Sequence, residues 1–176
     1  MTLKNEKIII GIDPGTKRIG FGVVAIAGKH IRFLDAGLLK PKKQDFLTPA
    51  KELVGLLKKH RPETLCIEKV YFSKNVRSAI SVSEIKGALT LEAENQGLEI
   101  VEISPTEVKS ALTGYGQADK TSVRKMVFKI IAPPKNLFSR DAIDALAIAI
   151  AGEMKNKSEK LLTIDKSPIF GKKTFN

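Results

Sequence analysis

Four acidic residues stand where carboxylates can share a task. Asp13 ends the apolar run Ile8-Ile9-Ile10-Gly11-Ile12 and precedes Pro14-Gly15, and Glu68 ends the run Leu65-Cys66-Ile67. Alone, each has an ordinary explanation: Asp-Pro-Gly is common turn chemistry, and a strand-end glutamate can reach water or Lys69. Asp141 and Asp144 are a sharper signal, because residues three apart on a helix point into one region. The segment that holds them leaves little polar surface, with Ile143, Leu146, Ala147 and Ile150 on one face and Ala145, Ile148 and Ala149 elsewhere, so the two acids are expected to face protein. A carboxylate near a helix start gains ~0.3–1 kcal/mol from the helix dipole, which explains one acid better than a close pair. If the two strands lie side by side and the helix packs over their ends, all four carboxylates converge and raise one another's pKa. A divalent cation resolves that conflict. With Cys66 the single cysteine and only His30 and His60 as histidines, a Cys/His zinc site is excluded, and oxygen ligands suit magnesium or manganese. Two such ions about 4 Å apart activate a water on one side of a phosphodiester and stabilise the leaving oxygen on the other.

The elements that must position these acids are legible in the apolar patterning. Residues 7–12, 20–26 and 31–39 form β-branched runs punctuated by Gly15, Gly28 and Gly37, the pattern of three hairpin-connected strands. Leu47, Ala50, Leu53, Val54 and Leu57 then give helical spacing over 46–60, ended by Arg61-Pro62. A strand is expected at 64–68, a long helix at 76–95, a strand at 99–103 and a helix at 105–112 with Ser104 as N-cap and Pro105 in its first position. The glycine-bearing stretch Gly114-Tyr-Gly-Gln-Ala-Asp-Lys120 leads into a helix at 121–131, closed by Pro133-Pro134, and a last helix spans 140–154. Residues 155–176 hold six lysines and two acids without a clear period and read as a mobile basic tail. The expectation is one α/β domain over residues 1–154, with a mixed five-stranded sheet and helices on both faces.

The 176 residues carry 30 Lys and Arg against 19 Asp and Glu, a formal charge of +11, which favours a polyanionic partner. A negative site on a positive protein is what a metal-dependent nuclease needs. Cys66 lies in an apolar run, where a buried thiol is usual, and no disulfide is possible within the chain. The longest apolar stretch near the N-terminus is too short for a membrane span or signal peptide, so a cytoplasmic protein is expected.

Taken in order, Ile10-Gly-Ile-Asp13-Pro-Gly15, Cys66-Ile-Glu68-Lys-Val-Tyr71 and Asp141-Ala-Ile-Asp144-Ala-Leu-Ala147 resemble the RuvC-type Holliday junction resolvases. The resemblance runs over about residues 7–152 and extends to Ser73-Lys-Asn75, Ser78-Ala79, Pro105 to Lys109 and the stretch 114–120. It implies a ribonuclease H-like fold, a homodimer and two symmetric nicks across a four-way DNA junction, in recombination and repair. It also implies that Asp13, Glu68, Asp141 and Asp144 are the catalytic metal ligands, with two magnesium ions per site and manganese as a substitute. Lys109 and Lys120 match lysines that approach DNA near the cut, and Lys74 and Lys86 are carried over as further DNA contacts. Read without the resemblance, Lys109 and Lys120 are solvated helix-end lysines. Lys86 stands where the family generally has arginine, which puts bidentate phosphate binding there in doubt. Tyr71 matches an aromatic that inserts at the junction centre, where an exposed ring stacks on an unpaired base for ~1–3 kcal/mol. The alternative is that Tyr71 and Phe72 pack beneath their loop. A branch-migration helicase is a partner by resemblance only.

One loop departs from the pattern. Thr16-Lys-Arg-Ile-Gly20 is closer to the YqgF-type ribonuclease H-like proteins, whose substrates include RNA, so structured RNA stands as the alternative substrate. A non-catalytic junction-binding module is a second alternative, opposed by the presence of all four acids. An ATP-binding fragment of the actin and Hsp70 type needs two such domains around the nucleotide, more than 176 residues hold. The stretch 114–120 lacks the Gly-Lys-Ser/Thr ending of a P-loop.

Overall fold

The computed structural model describes residues 6–39, 47–71, 76–134 and 139–164. Strands β1 (Lys7–Asp13), β2 (Ile19–Ala27) and β3 (His30–Leu39) are followed by α1 (Leu47–His60), β4 (Thr64–Glu68), α2 (Val76–Asn95), β5 (Glu99–Ile103), α3 (Pro105–Thr113), α4 (Lys120–Ile131) and α5 (Arg140–Ile164). The strands form one sheet in the order β3-β2-β1-β4-β5. β1, β2 and β3 are antiparallel neighbours, whereas β1 with β4 and β4 with β5 run parallel. The fold is the expected mixed five-stranded α/β architecture.

β1 and β4 occupy the middle of the sheet and are covered on both faces, which is why their sequences are apolar almost throughout. Strand alternation sorts their side chains into two cores. Ile9, Val24, Cys66 and Val101 pack with α3, α4 and α5 on one face. Ile10, Ile12, Val23, Leu65 and Ile67 pack with α1 and α2 through Leu53, Leu57, Ile85 and Leu89 on the other. The same period of two puts Asp13 on the face of Ile9 and Glu68 on the face of Cys66, the side that α5 covers.

Glycines let α5 come close to that face. A Cβ on Gly11 would collide with the Ala145 carbonyl oxygen, one on Gly20 with the Asp141 carbonyl oxygen, and one on Gly22 would lie 2.7 Å from the Leu146 backbone nitrogen. The helix therefore rests on the backbone of β1 and β2, and its first turns are carried to the strand ends where Asp13 lies. Sequence patterning did not reveal this role, because a glycine inside a strand looks only like a weak point or a bulge.

The last helix also corrects an expectation. α5 continues to Ile164 instead of ending at Met154, so the start of the expected mobile tail is helical. Polar contacts hold it where apolar periodicity is missing: Asn156 Nδ2 donates to Glu99 Oε2 at 2.8 Å, Lys160 pairs with Glu99 at 2.9 Å, and Lys155 Nζ donates to the Glu102 carbonyl at 2.9 Å. Residues 165–176 lie outside the described residues. Among the described residues no helix is long and apolar enough to cross a membrane.

Candidate active site

β1 and β4 run parallel with Ile12 opposite Ile67, so the next residues, Asp13 and Glu68, end adjacent strands on the same edge of the sheet. In open α/β sheets this carboxyl edge is where ligands bind. α5 begins above it, with the Ala142 N–H directed at Ser139 Oγ and the Ile143 N–H bonded to the Ser139 carbonyl. Its second turn delivers Asp144. Asp13, Glu68 and Asp144 line one cleft with Lys109 of α3 and Lys120 of α4, on apolar walls that include Pro105, Val108, Val123 and Ala147. The Ser104 and Glu107 capping box fixes the start of α3. The Asp119 side chain accepts the Ser122 N–H at 2.7 Å and fixes the start of α4, the residue of which is Lys120.

Charge is unbalanced at the inner end of this cleft. Burial and the negative charges of Glu68 and Asp144 push the Asp13 carboxyl up to about 7; Lys120 opposes the shift and Asp141 adds to it. Burial also raises Glu68, with Lys120 working against it and Asp144 adding to it. Further out, two cations that sequence reading passed over, one on α4 and one in the turn before β2, meet the acids of α5. Arg124 approaches Asp144 at 3.4 Å beside Lys120 at 3.2 Å, and Arg18 pairs with Asp141 at 3.0 Å. Arg124 lies on the same face of α4 as Lys120, four residues on, a spacing that would have suggested it once Lys120 was singled out.

The residues fit a hard divalent cation in their chemistry. All four donors are carboxylates, and an acid raised to about 7 by burial and by its acidic neighbours marks a place where added positive charge is favourable. Asp13, Glu68 and Asp144 would hold the ion, with Asp141 next to them. Among the described residues no three acids, histidines or cysteines are already closed around one ion position. Asp141 reaches Asp13 electrostatically but is not part of the cleft lining.

The remaining candidates are dispersed. Tyr71, three residues past Glu68, is 60% exposed and so is not packed under its loop as the alternative held. Lys86 pairs with Glu102 at 2.7 Å and lines a different groove, along α2. Lys74 lies outside the described residues.

A mixed sheet in this order, with helices on both faces and carboxylates gathered at the ends of β1 and β4, defines a ribonuclease H-like nuclease. The family model described as crossover junction endodeoxyribonuclease RuvC matches residues 9–152. The crossover junction endodeoxyribonuclease RuvC of Pelotomaculum thermopropionicum is 38% identical over 148 residues, 81% of this chain and 90% of that protein. The structure of Thermus thermophilus RuvC in complex with a Holliday junction substrate superposes with a TM-score of 0.81 at 28% identity, over 87% of this chain and 96% of that one. The yeast mitochondrial Holliday junction resolvase shares the fold, with a TM-score of 0.60 at 12% identity over 89% of this chain and 85% of that one. This chain belongs to the RuvC family of crossover junction endodeoxyribonucleases, which are metal-dependent nucleases. The YqgF-like character of residues 16–20 is thus confined to one loop, and the structured-RNA alternative is not favoured.

Proposed function

We propose that this protein resolves four-way DNA junctions by two symmetric phosphodiester hydrolyses, one in each protomer of a homodimer. The observation that carries the reading is the single cleft in which Asp13, Glu68 and Asp144 meet Lys109 and Lys120. The two lysines seat the scissile phosphate and offset its charge as it approaches the acids. Asp13 and Glu68 hold their positions through the paired strand ends, and Asp141 and Asp144 through α5. When bound, magnesium, with manganese as a substitute, supplies the positive charge that activates water and stabilises the leaving oxygen. The apolar walls of the cleft limit competing water around the phosphate.

The homodimer finds support on α2, which leaves Ile80 and Leu91 exposed. A branch-migration helicase as working partner belongs to this reading through the family resemblance, and a cytoplasmic location through the shortness of the apolar stretch near the N-terminus. The nuclease domain is residues 1–154, and the lysine-rich residues 155–176 follow it, beginning as the last turns of α5.

The test is a synthetic four-way junction incubated with magnesium beside a linear duplex of matching sequence. Paired nicks in opposite strands of the junction, with the duplex largely intact, are expected. Equal cutting of both, or faster cutting of structured RNA, overturns the assignment.

A further inference from the structure

Between the two lysine-bearing helices of the cleft, the chain crosses a short turn that holds one aromatic residue, Tyr115. The residue is 64% exposed. An exposed ring on a loose loop would mean little, but this backbone is pinned on both sides. Gly114 takes a left-handed conformation at φ 77°, and its N–H caps α3 at the Ser110 carbonyl at 2.8 Å. The Tyr115 N–H donates to Thr113 Oγ1 at 3.2 Å, and the Thr113 hydroxyl is itself anchored on the Lys109 carbonyl at 2.8 Å. The Tyr115 carbonyl accepts the Ala118 N–H at 3.0 Å. A Cβ on Gly116 would lie 2.9 Å from Thr106 Cγ2, so the turn also lies tight against the start of α3. Both polar groups of the Tyr115 main chain are thus satisfied, whereas its phenol takes no hydrogen bond among the described residues. The turn holds the main chain and leaves the ring outside.

Two classes of surface use such a ring. A protein interface gathers apolar side chains into a contiguous patch. Here the next exposed large apolar residue along the chain is Phe128, two turns into α4, and the intervening sequence carries Lys120, Arg124 and Lys125. A pre-positioned ring on the turn that joins the Lys109 and Lys120 helices, followed along the chain by cations, fits the other use, a stacking surface for a nucleobase whose backbone the cations hold. A continuous duplex shows only base edges in its grooves, but the strand-exchange point of a four-way junction can offer a base face.

We propose that Tyr115 stacks on an unpaired nucleobase next to the phosphate seated by Lys109 and Lys120, and that this contact helps the protein tell a junction from a duplex. The proposal rests on the reading of four-way DNA as substrate. It adds a second aromatic contact, on a different element from Tyr71.

The chain suits a direct test, because it holds no tryptophan and only two tyrosines. In a Tyr71→Phe protein, Tyr115 is the sole tyrosine, and its emission is followed while a fluorescein-labelled junction reports binding by anisotropy, in chelator so that no strand is cut. The expected result is loss of most of the tyrosine emission as the junction saturates the protein, and little loss with linear duplex. Tyr115→Ala is expected to weaken junction binding by roughly ten- to a hundred-fold and to leave duplex binding unchanged, with Tyr115→Phe restoring junction affinity. Unchanged emission on a bound junction overturns the proposal, as does wild-type junction affinity and cleavage in Tyr115→Ala. So does a fall in emission with protein concentration alone, which would assign the ring to contact with a second copy. If the wild-type protein neither binds nor cuts the junction, the resolvase reading falls and this proposal with it; cleavage that is indifferent to Tyr115 removes this proposal only.

Discussion

At the amino ends of the parallel strands, Glu153 and Glu99 sit among lysines; at their carboxyl ends, Asp13 and Glu68 are buried near Asp144, and Lys120 offsets their charge only in part. Glu153 is nearly buried and takes Lys7 at 2.8 Å, with Lys157 at 3.6 Å. Glu99 binds Lys160 and Asn156, and these contacts hold its carboxyl below the usual range. Asp13, on the same strand as Lys7, is pushed up to about 7 instead. One strand therefore links a balanced end to an unbalanced one. The balanced end fastens α5 to the sheet, and the unbalanced end keeps a demand for positive charge that a cation and the lysines around a phosphate can meet. A protein selected only for stability would match both ends.

The largest expected effect comes from removing charge at the unbalanced end. Asp13→Asn or Asp144→Asn should slow junction cleavage roughly a thousand-fold or more, since each removes a proposed metal ligand. Gel-shift affinity for the junction should persist; joint loss of binding and cleavage would give these acids a folding role. At the balanced end, Glu153→Ala should lower unfolding free energy by about 1–3 kcal/mol, read by urea denaturation, because it leaves the partly buried Lys7 with only the longer contact to Glu99 at 3.7 Å. A neutral result there would dissolve the contrast between the ends.

A smaller effect sharpens the contrast with opposite sign. Between pH about 4 and about 7 the folded chain keeps a proton on Asp13 that the unfolded chain releases, so its contribution to stability falls as pH rises through that window. In chelator at pH 8, Asp13→Asn should therefore be more stable than the wild type by about 1–3 kcal/mol, and the gain should vanish near pH 4. A variant less stable at pH 8 would contradict the charge imbalance. The smallest effects concern the cleft lysines. Lys109→Ala or Lys120→Ala should weaken junction binding several-fold and reduce the steepness of its salt dependence by about one phosphate contact each. An unchanged salt slope would place these side chains away from the DNA.

The strand-end acids and the helical pair were readable because each follows from local rules: a buried strand that ends in a charge, and two acids one turn apart. Their meeting depended on β1 lying beside β4, which sequence could only pose as a condition. Spacing from Lys120 could have pointed to Arg124 as a residue, but its pairing with Asp144 and that of Arg18 with Asp141 were not readable, since they join positions far apart in the chain through the packing of α5 against α4 and the sheet. The end of α5 escaped for a different reason. Beyond Met154 the helix is held by Lys155, Asn156 and Lys160 reaching the β5 side of the sheet, and a search for apolar spacing does not register such contacts. Lys86 was singled out by position alone, and its pairing with Glu102 across the groove along α2 is a contact that position could not give.

The bare glycines under α5 have a consequence for precision. Helices usually rest on side chains, and side chains have rotamers that absorb small errors and pass on small motions. At Gly11 and Gly20 the helix backbone meets the strand backbone, so the spacing between Asp13 and the acids of α5 is set by main-chain dimensions, which hardly vary. Substitutions in the surrounding core can change how firmly the pieces are held, but they have no adjustable part with which to reset that gap. The gap between the strand-end acid and the helix acids is thus built to the tolerance of the peptide unit itself.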